Sequence, residues 1–238
     1  MSNYKYKRVL LKISGESLKG AQSHGYDAAA VQSIVAKIKK VLDRGMEVAL
    51  VCGAGNIWRG VTGAAGGMDR VNADYMGMLG TVMNALCLRD FFARECVEAI
   101  VQCSVPMPPI AGGINRAEAD KALSAGKVVI FAGGTGCPFF TTDTTAVLRA
   151  LENDCEAVLK ATKVDGIYSA DPFKYPDAER YTEISFDEAI SKQLKVMDST
   201  AFSMCRDNDL PIIVFNFADE EGLDAILSGD NSAGTIVC

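Results

Sequence analysis

Seven short runs of apolar, largely β-branched residues constrain the fold of this chain more than any other feature. The runs are nearly continuous rather than alternating, which is typical of strands that are buried on both faces of a sheet. They lie at 8–14, 47–52, 98–104, 127–133, 156–162, 211–217 and 234–238. Helical patterns lie between them, at 28–45, 74–95, 186–193, 199–209 and 220–229, and at the end of the stretch 131–151. This alternation predicts an α/β fold, a three-layer α/β/α sandwich with a mostly parallel central sheet.

The composition is that of an ordinary globular protein. The 238 residues are 49% hydrophobic and contain no Pro-, Ser- or Gly-rich linker, which favours a single domain over 1–238. The formal net charge of −6 argues against nucleic-acid and membrane partners. The chain contains no run of about 18 consecutive apolar residues, so no membrane-spanning helix is predicted. The amino terminus lacks the pattern of a signal peptide, so we expect a cytoplasmic protein.

The cysteine and histidine content argues against two kinds of site. Eight cysteines are scattered through the chain without a Cys-x-x-Cys pair, which indicates free buried thiols in a reducing compartment rather than disulfides or a metal site. The single histidine, His24, lies in a glycine-flanked loop. A Ser-His-Asp triad and a histidine-based zinc site are therefore both disfavoured.

Polar, glycine-bearing loops follow four of the predicted strands. They read KISGESLKG after the first strand, GAGNIWRG after the second, GGTGCPFFTTD after the fourth and ATKVDGIYSADP after the fifth. In open α/β sheets, ligands bind in the crevice at the carboxyl ends of the strands. We therefore expect the four loops to converge on one edge of the sheet.

The first loop places a lysine where a strand ends. Lys12 is followed by Ser14 and Gly15, and a strand lysine is costly to bury without a partner. A lysine beside a glycine backbone can hold a transferring phosphoryl group. The alternative is an edge lysine that reaches out to water.

The second loop carries Arg59 among glycines, which allow a backbone to approach a phosphate closely. These glycines are Gly53, Gly55 and Gly60. The alternative is a tight turn. The loop is not the dinucleotide-binding fingerprint, because the third glycine is absent at the required spacing. The chain also has no Walker A sequence, which disfavours a P-loop kinase.

The third loop combines backbone freedom, hydroxyl groups and aromatic surface. Its glycines are Gly133, Gly134 and Gly136. Thr141, Thr142 and Asp143 lie where a helix begins, and since one cap is enough, the surplus donors suit an anionic ligand. Phe139 and Phe140 either form a wall for a flat base or fill the core. A carboxylate such as Asp143 beside a phosphate site indicates a metal or proton-related role.

The fourth loop is rich in polar residues. They are Lys160, Thr162, Lys163, Asp165, Tyr168 and Asp171. Asp165 lies in a predicted turn, and Tyr168 could pack on a purine. A solvated hairpin loop is the alternative interpretation.

Taken together, and in this order, the four loops resemble those of the bacterial UMP kinase (uridylate kinase) family of the amino-acid-kinase superfamily. The resemblance runs along essentially the whole chain and rests on LKISGESL, GGTGCPFFTTDT, LKATKVDGIYSADP and LKVMDSTAF. It implies the amino-acid-kinase fold and phosphoryl transfer from ATP to UMP, with Mg²⁺ bound mainly through ATP. It also implies a homohexamer that GTP activates and UTP inhibits.

The resemblance further assigns site residues. The implied ATP-binding residues are Lys12, Ile13, Ser14, Gly15, Gly55, Arg59, Thr162, Lys163, Tyr168 and Asp171. The implied UMP-binding residues are Ala54, Asp74, Thr135, Gly136, Cys137, Pro138, Phe139, Phe140, Thr141 and Thr142. The position of the GTP effector loop is taken by Gly20, Ala21, Gln22, Ser23, His24 and Gly25.

Phosphoryl transfer needs mainly positioning and charge neutralisation, and the charged residues of these loops can supply both. We hypothesise that Lys12 and Arg59 neutralise the transferring group. Asp143 then orients Lys12 or binds Mg²⁺, with Asp198 as a weaker candidate for the same role. Lys160 is a candidate contact for the leaving phosphate.

Two residues depart from the family pattern. Ala54 stands where the family usually has the middle one of three glycines, so its methyl group either crowds the UMP phosphate or suits the local backbone. Cys137 stands where the family usually has asparagine, so an amide contact is lost. Both changes bear on substrate affinity rather than on the charged residues.

Two other functions compete with this one. Another kinase of the superfamily would phosphorylate carbamate, glutamate, aspartate or acetylglutamate, but it is not expected to combine PFFTTD with Asp74. A non-catalytic nucleotide-binding protein is expected to lack catalytic charges, whereas Lys12, Arg59 and Asp143 are all present.

Overall fold

Eleven strands form the framework of the described chain. The computed structural model describes residues 4–59, 66–194 and 196–238. The strands in it are β1 Arg8–Ile13, β2 Glu47–Cys52, β3 Ala99–Cys103, β4 Gly112–Gly113, β5 Val128–Ala132, β6 Ala157–Thr162, β7 Ile167–Tyr168, β8 Arg180–Tyr181, β9 Glu183–Ile184, β10 Ile212–Asn216 and β11 Gly234–Val237.

Nine of these strands make one sheet, in the order β4-β3-β5-β2-β1-β6-β10-β11-β9. All its neighbouring strands pair in parallel except β10 and β11, which are antiparallel. β7 and β8 form a separate antiparallel pair. In the central strands, Lys12 on β1 lies opposite Lys160 on β6. Two lysines therefore stand side by side near the carboxyl edge of the sheet.

Seven α-helices connect the strands within the described residues. They are α1 Ala28–Leu42, α2 Arg70–Arg94, α3 Arg116–Ser124, α4 Thr142–Glu152, α5 Phe186–Ser191, α6 Ser199–Asp207 and α7 Gly222–Leu227. Short 3₁₀ turns span Gly15–Lys19 and Asn231–Ala233. None of the described helices is long and apolar enough to cross a membrane.

Each face of the sheet is covered by a layer of helices with its own apolar core. Successive strand side chains point to opposite faces, so Leu11 and Ile13 of β1 pack with α1, α2 and α7, while Leu10 packs with α3, α4, α5 and α6. The predicted three-layer α/β/α sandwich with a mostly parallel sheet is confirmed.

The differences from prediction lie at the ends of elements, in four strands of two residues each and in one helix. The four strands, β4, β7, β8 and β9, were not predicted, because two residues are too few to form a recognisable apolar run. The helix predicted at 74–95 begins earlier, at Arg70, because the carboxylate of Asp69 caps it by accepting from Asn72 N–H at 3.1 Å. α1 ends at Leu42, before Gly45, whose φ of +88° belongs to the following turn. α3 was not predicted, because it is short and buries only Ala119, Ala122 and Leu123.

The cysteines follow the prediction only in part. All eight are free thiols. Cys52, Cys103, Cys155 and Cys205 are buried, and burial raises the pKa of Cys52 to about 12. The expectation of burial was wrong for Cys96, Cys137 and Cys238, which are exposed.

Candidate active site

A cleft of about 460 Å³ opens at the carboxyl ends of β1, β2 and β5. Its walls are the loops that follow these three strands, together with the first turns of α2 and α4. The fourth polar loop approaches the same edge, since Lys163 Nζ lies 3.6 Å from the carboxylate of Glu16 in the first loop. The predicted convergence of the four loops is therefore observed.

The backbones of the first two loops are in direct contact. A Cβ added at Gly15 would collide with the carbonyl oxygen of Gly53 and lie 2.8 Å from the amide nitrogen of Gly55. Only a residue without a side chain fits between them. This contact brings the loop after Lys12 and the loop before Arg59 to the same end of the cleft. Gly60, which sequence reasoning grouped with this loop, lies outside the described residues.

Asp143 connects the two lysines of β1 and β6. Its Oδ1 lies 2.8 Å from Lys12 Nζ, and its Oδ2 accepts from Lys160 Nζ at 2.7 Å. The side chains of all three residues are at most 16% exposed. Burial alone would raise the pKa of Asp143, but the two ammonium groups outweigh it and hold the pKa below its usual value. The carboxylate is thus ionised and committed to the lysines.

Lys12 and Lys160 differ in their access to the cleft. Lys12 is part of the cleft wall. Lys160 lies behind Asp143 and also donates to the Val196 carbonyl at 2.6 Å. Burial, reinforced by the neighbouring Lys12 charge, lowers the pKa of Lys160 against the opposing effect of Asp143. A direct contact between Lys160 and a phosphate stays a prediction.

Arg59 lines the cleft and forms an ion pair with Glu16. Its side chain is 60% exposed, so a surface pair of this kind holds it weakly. The guanidinium is free to exchange the carboxylate of Glu16 for a phosphate.

Asp74 and the third loop form a further part of the cleft wall. Asp74 Oδ2 accepts from the backbone N–H of Phe139 at 2.8 Å, and its carboxylate also accepts from Arg70 Nε. Phe139 has a φ of +71°, a backbone conformation that residues other than glycine rarely adopt. The hydrogen bond to Asp74 helps to hold Phe139 in this conformation. Phe139 and Phe140 are exposed, so they do not fill the core. Phe140 lines the cleft.

The threonines where α4 begins divide their roles. Thr141 caps the helix, because its hydroxyl accepts from Asp143 N–H at 3.0 Å and Thr144 N–H at 3.4 Å. Thr142 is left free of this role and lines the cleft. The positive end of the α4 dipole therefore faces the cleft, as anion binding requires.

Asp198, the weaker catalytic candidate, is occupied by structural contacts. Its Oδ1 caps α6 by accepting from Ala201 N–H at 2.9 Å. Its Oδ2 accepts from the hydroxyls of Thr141 and, at 2.9 Å, Thr144. Asp198 thus ties α6 to the start of α4, and it is not part of the cleft wall.

The residues predicted to bind the adenine end of ATP lie beyond the cleft wall. Thr162 donates to the Val164 carbonyl at 2.6 Å, and Tyr168 donates to Asp165 at 2.6 Å. Asp171 accepts from the backbone of its own loop at Phe173. These contacts order the loop after β6, and its nucleotide contacts stay a prediction.

The predicted effector loop, Gly20–Gly25, is tied to the second polar loop. Gly25 N–H donates to the carbonyl of Asn56 at 2.9 Å, and Asn56 Nδ2 donates back to the Gly25 carbonyl at 3.0 Å. Asn84 of α2 in turn donates to Asn56 Oδ1 at 2.8 Å and to the Gly53 carbonyl at 2.7 Å. The loop is therefore in hydrogen-bonded contact with the wall of the cleft.

The two departures from the family pattern have different surroundings. Ala54 is buried, and a Cβ on Gly80 of α2 would lie 2.9 Å from the Ala54 methyl group. The absence of a side chain at Gly80 therefore provides the room that Ala54 needs. Cys137 is exposed on the cleft wall, where its N–H donates to Thr135 Oγ1 at 3.2 Å.

Sequence reasoning missed part of the cleft wall. The missed residues are Trp58, Arg70, Gly77, Met78, Thr81 and Thr145. Met78 and Thr81 follow Asp74 at intervals of four and seven residues, which place all three on one helix face. Helical spacing from Asp74 was the available signal.

Known proteins share the fold of this chain. The model of the amino acid kinase family matches residues 7–216. The UMP kinase of Bacillus anthracis superposes with a TM-score of 0.94 and 37% identity, over 98% of this chain and 96% of that chain. The UMP kinase of Ureaplasma parvum does so with a TM-score of 0.92 and 35% identity, over 98% and 99%. The uridylate kinase of Archaeoglobus fulgidus, at 23% identity and a TM-score of 0.73 over 97% and 99%, shares the fold. Because the family model spans most of the chain and two solved structures match nearly all of it, this protein belongs to the amino acid kinase family.

Proposed function

We propose that this protein is a UMP kinase, which transfers the γ-phosphoryl group of ATP to UMP and yields UDP and ADP. The observation that carries the proposal is that one cleft is lined both by Lys12 and Arg59 and by Asp74 with the third loop. Both bacterial relatives described above, at 37% and 35% identity over 98% of this chain, are UMP kinases.

In the proposed mechanism, an oxygen of the UMP phosphate attacks the γ-phosphorus of ATP, and ADP leaves with the electrons of the broken P–O bond. Lys12 and Arg59 neutralise the charge on the transferring group. Backbone N–H groups of the loops around Gly15 and Gly55, and the start of α4, supply further donors at the same end.

Asp143 acts on this reaction by orienting Lys12. Both of its oxygens already face ammonium groups, at 2.8 and 2.7 Å. A carboxylate held in this way is poorly suited to bind a cation, which would bring a further positive charge beside two lysines. We therefore assign Mg²⁺ to the substrate, where the phosphates of ATP would bind it, and we assign no protein side chain as its ligand.

The acceptor end of the cleft fits a nucleotide rather than an amino acid. Asp74 offers a carboxylate to a ribose hydroxyl, and Phe140 offers an exposed aromatic face to a base. Thr135, Cys137, Thr141 and Thr142 line the same space. A carbamate or an amino-acid acceptor would need neither the aromatic face nor so long a loop.

The ATP base is proposed to lie beside the loop after β6. This placement is supported by the pairing of β6 with β1, which sets Lys160 opposite Lys12. A nucleotide whose phosphates lie at Lys12 can extend from there toward Thr162, Lys163, Tyr168 and Asp171.

Regulation and assembly are also part of the proposal. The hydrogen bonds between Gly25 and Asn56 offer a physical route from a GTP effector at the loop 20–25 to the cleft. We also propose inhibition by UTP and a homohexamer, for which the exposed apolar face of α2 offers contact surface. The eight free thiols are consistent with a cytoplasmic location.

The first test is ADP release from ATP and Mg²⁺ with UMP, CMP, dUMP, AMP, glutamate or aspartate as the acceptor. We expect strong turnover with UMP. Turnover with an amino acid but not UMP would keep the fold and replace the acceptor. ATP binding without turnover on any acceptor would support a nucleotide-binding protein instead.

A further inference from the structure

A buried arginine stands behind the third loop of the cleft. Arg149, on α4, is 5% exposed. Its Nη2 donates to Ser104 Oγ at 3.0 Å, and its Nη1 forms an ion pair with Glu152. Taking a guanidinium out of water carries a large desolvation cost, and an apolar side chain would fill the same space. Packing alone therefore does not account for an arginine here.

Ser104 connects this arginine to the loop. A guanidinium can only donate hydrogen bonds, so the Ser104 hydroxyl must accept from Arg149. The single hydroxyl proton is then directed to the Gly134 carbonyl, at 2.5 Å. The result is a charge-assisted chain from Arg149 through Ser104 to Gly134, in which each bond strengthens the next.

The orientation of the Gly134 carbonyl determines what the loop presents to the cleft. In a planar trans peptide the C=O and the following N–H point in opposite directions. With the Gly134 oxygen directed at Ser104, the Thr135 N–H points away from Ser104. Gly134 and Thr135 both line the cleft. Among the described residues, no backbone acceptor is hydrogen-bonded to this N–H.

The loop needs such a restraint because its backbone is unusually free. Gly133, Gly134 and Gly136 have φ values of +75°, +61° and +83°, and glycine moves between such conformations at little cost. A rotation of the Gly134–Thr135 peptide would replace the N–H with a carbonyl oxygen. Gly133 N–H donates to Thr81 Oγ1 at 2.8 Å, and the Gly133 carbonyl accepts from Gly136 N–H at 3.1 Å. Neither bond involves the Gly134–Thr135 peptide itself, whose carbonyl is held by Ser104.

We propose that Arg149 and Ser104 are positioning residues for the acceptor. Together they lock the Gly134–Thr135 peptide in the orientation that offers a hydrogen-bond donor to the acceptor nucleotide. This inference rests on the proposed function, since it assigns the cleft beside Thr135 to UMP. Neither residue touches the reacting atoms.

The test compares two serines that each accept from a buried arginine. Ser104→Ala removes the connection to Gly134. We expect KM for UMP to rise about tenfold, with kcat and KM for ATP within about twofold of wild type, as one lost charge-assisted contact to the loop implies. Calorimetry with UMP alone is expected to give the same factor in Kd.

The matched control is Ser124→Ala. The Ser124 hydroxyl accepts from Arg8 Nη2 at 3.3 Å, at the opposite edge of the sheet. We expect it to leave both KM values unchanged.

A second arm tests whether the two residues act as one unit. Arg149→Met, alone and combined with Ser104→Ala, completes a double-mutant cycle. We expect the double variant to raise KM for UMP no further than the more affected single variant. If Arg149→Met does not fold, the Ser104→Ala comparison still decides the matter.

The outcomes separate this inference from the proposed function. An active wild-type enzyme whose Ser104→Ala variant keeps its KM for UMP would overturn the positioning role alone. Equal increases in KM for UMP and ATP would also overturn it, since they indicate a general structural effect. A wild-type protein without UMP-dependent turnover or UMP binding would overturn the proposed function and this inference with it.

Discussion

At the scale of single residues, Lys12 is the side chain on which the proposed chemistry depends most. It is the ammonium group of the buried Lys12–Asp143–Lys160 cluster that reaches the cleft. We expect Lys12→Ala to lower kcat by about two to three orders of magnitude, because a preorganised cation in a water-poor site stabilises the developing charge. ADP release measures the loss, and circular dichroism checks the fold.

A surface lysine provides the comparison for that variant. Lys127 pairs with Glu98 at the amino end of β5, far from the cleft wall. Lys127→Ala is expected to retain wild-type turnover. A Lys12→Ala enzyme with near-full kcat would remove Lys12 from the mechanism.

The pH dependence of stability follows from the environment of Asp143. Its pKa in the folded state is lowered by Lys12 and Lys160 in spite of burial. A carboxyl group of this kind contributes stability above the unfolded-state pKa of about 4, and the contribution is lost as pH falls through the lower folded-state pKa. Asp143→Asn should therefore cost about 3 kcal/mol of unfolding free energy at pH 7, and the cost should shrink below a pH of about 4.

Urea unfolding of both proteins at several pH values measures this difference. Asp43→Asn is the control, because Asp43 is exposed and pairs with Lys39 on the surface, where an ion pair contributes little to stability. A cost for Asp143→Asn that is the same in acid as at neutral pH would contradict the assigned ion pairs.

At the scale of elements, the contact between α2 and the second loop depends on a matched pair of small residues. A Cβ on Gly80 would lie 2.9 Å from the Ala54 methyl group. A methyl group has no alternative rotamer, so only a shift of the backbone could relieve the clash. We expect Gly80→Ala to destabilise the protein by about 1–2 kcal/mol through overpacking, although alanine favours a helix. Adding Ala54→Gly should restore the stability, because it removes the clashing methyl group.

The control for this prediction lies one turn earlier on the same helix. The nearest atom to a Cβ on Gly77 is Trp58 Cδ1, at an ordinary contact distance of 3.9 Å. Gly77→Ala should therefore stabilise the protein by about 0.5–1 kcal/mol, the usual difference in helix propensity. Denaturant unfolding measures each variant against the wild type and against Ala54→Gly alone. If Gly80→Ala has the same effect with and without the Ala54→Gly substitution, the two sites are not coupled.

At the scale of the whole molecule, one face of α2 lines the cleft and the other is exposed to solvent. One face holds Asp74, Met78 and Thr81 toward the cleft. The other exposes apolar side chains to solvent. They are Tyr75, Met76, Leu79 and Met83. A patch of this kind on a helix marks a contact surface, which is consistent with the proposed homohexamer.

The proposed homohexamer can be tested on this face without touching the cleft. Leu79 is 51% exposed, and Leu79→Glu should convert the assembly to smaller species in sedimentation velocity. Ile190→Glu, on α5 and 45% exposed, is the matched control and should leave the assembly unchanged. A wild-type monomer at micromolar concentration would refute the proposed oligomer.

Much of the architecture could be predicted because it depends on local patterns. Continuous apolar runs identified seven of the eleven described strands. The position of polar loops after them identified the edge of the sheet that holds the cleft. α3 escaped prediction because only three of its side chains are buried, so its pattern carries little periodic signal.

The contacts within the site could not be predicted because they join residues far apart in the chain. Lys12 and Lys160 become neighbours through the pairing of β1 with β6, and Asp143 reaches both from α4. The same limit applies to Arg149, which reads as an ordinary charged helix residue until Ser104 and Gly134 lie beside it.

By itself, the sequence determined the order of the seven longer strands and of six helices, the chemical groups on each loop and the family resemblance, since these depend on residue types at fixed spacings. The tertiary structure decided which of those groups meet. Sheet pairing and helix packing bring together carboxylates, ammonium groups and backbone carbonyls that are separated by tens of residues, and hydrogen bonds act only over about 3 Å. The roles of Asp143 as a partner of two lysines, of Asp198 as a helix cap and of Gly80 as the complement of Ala54 all follow from that short range.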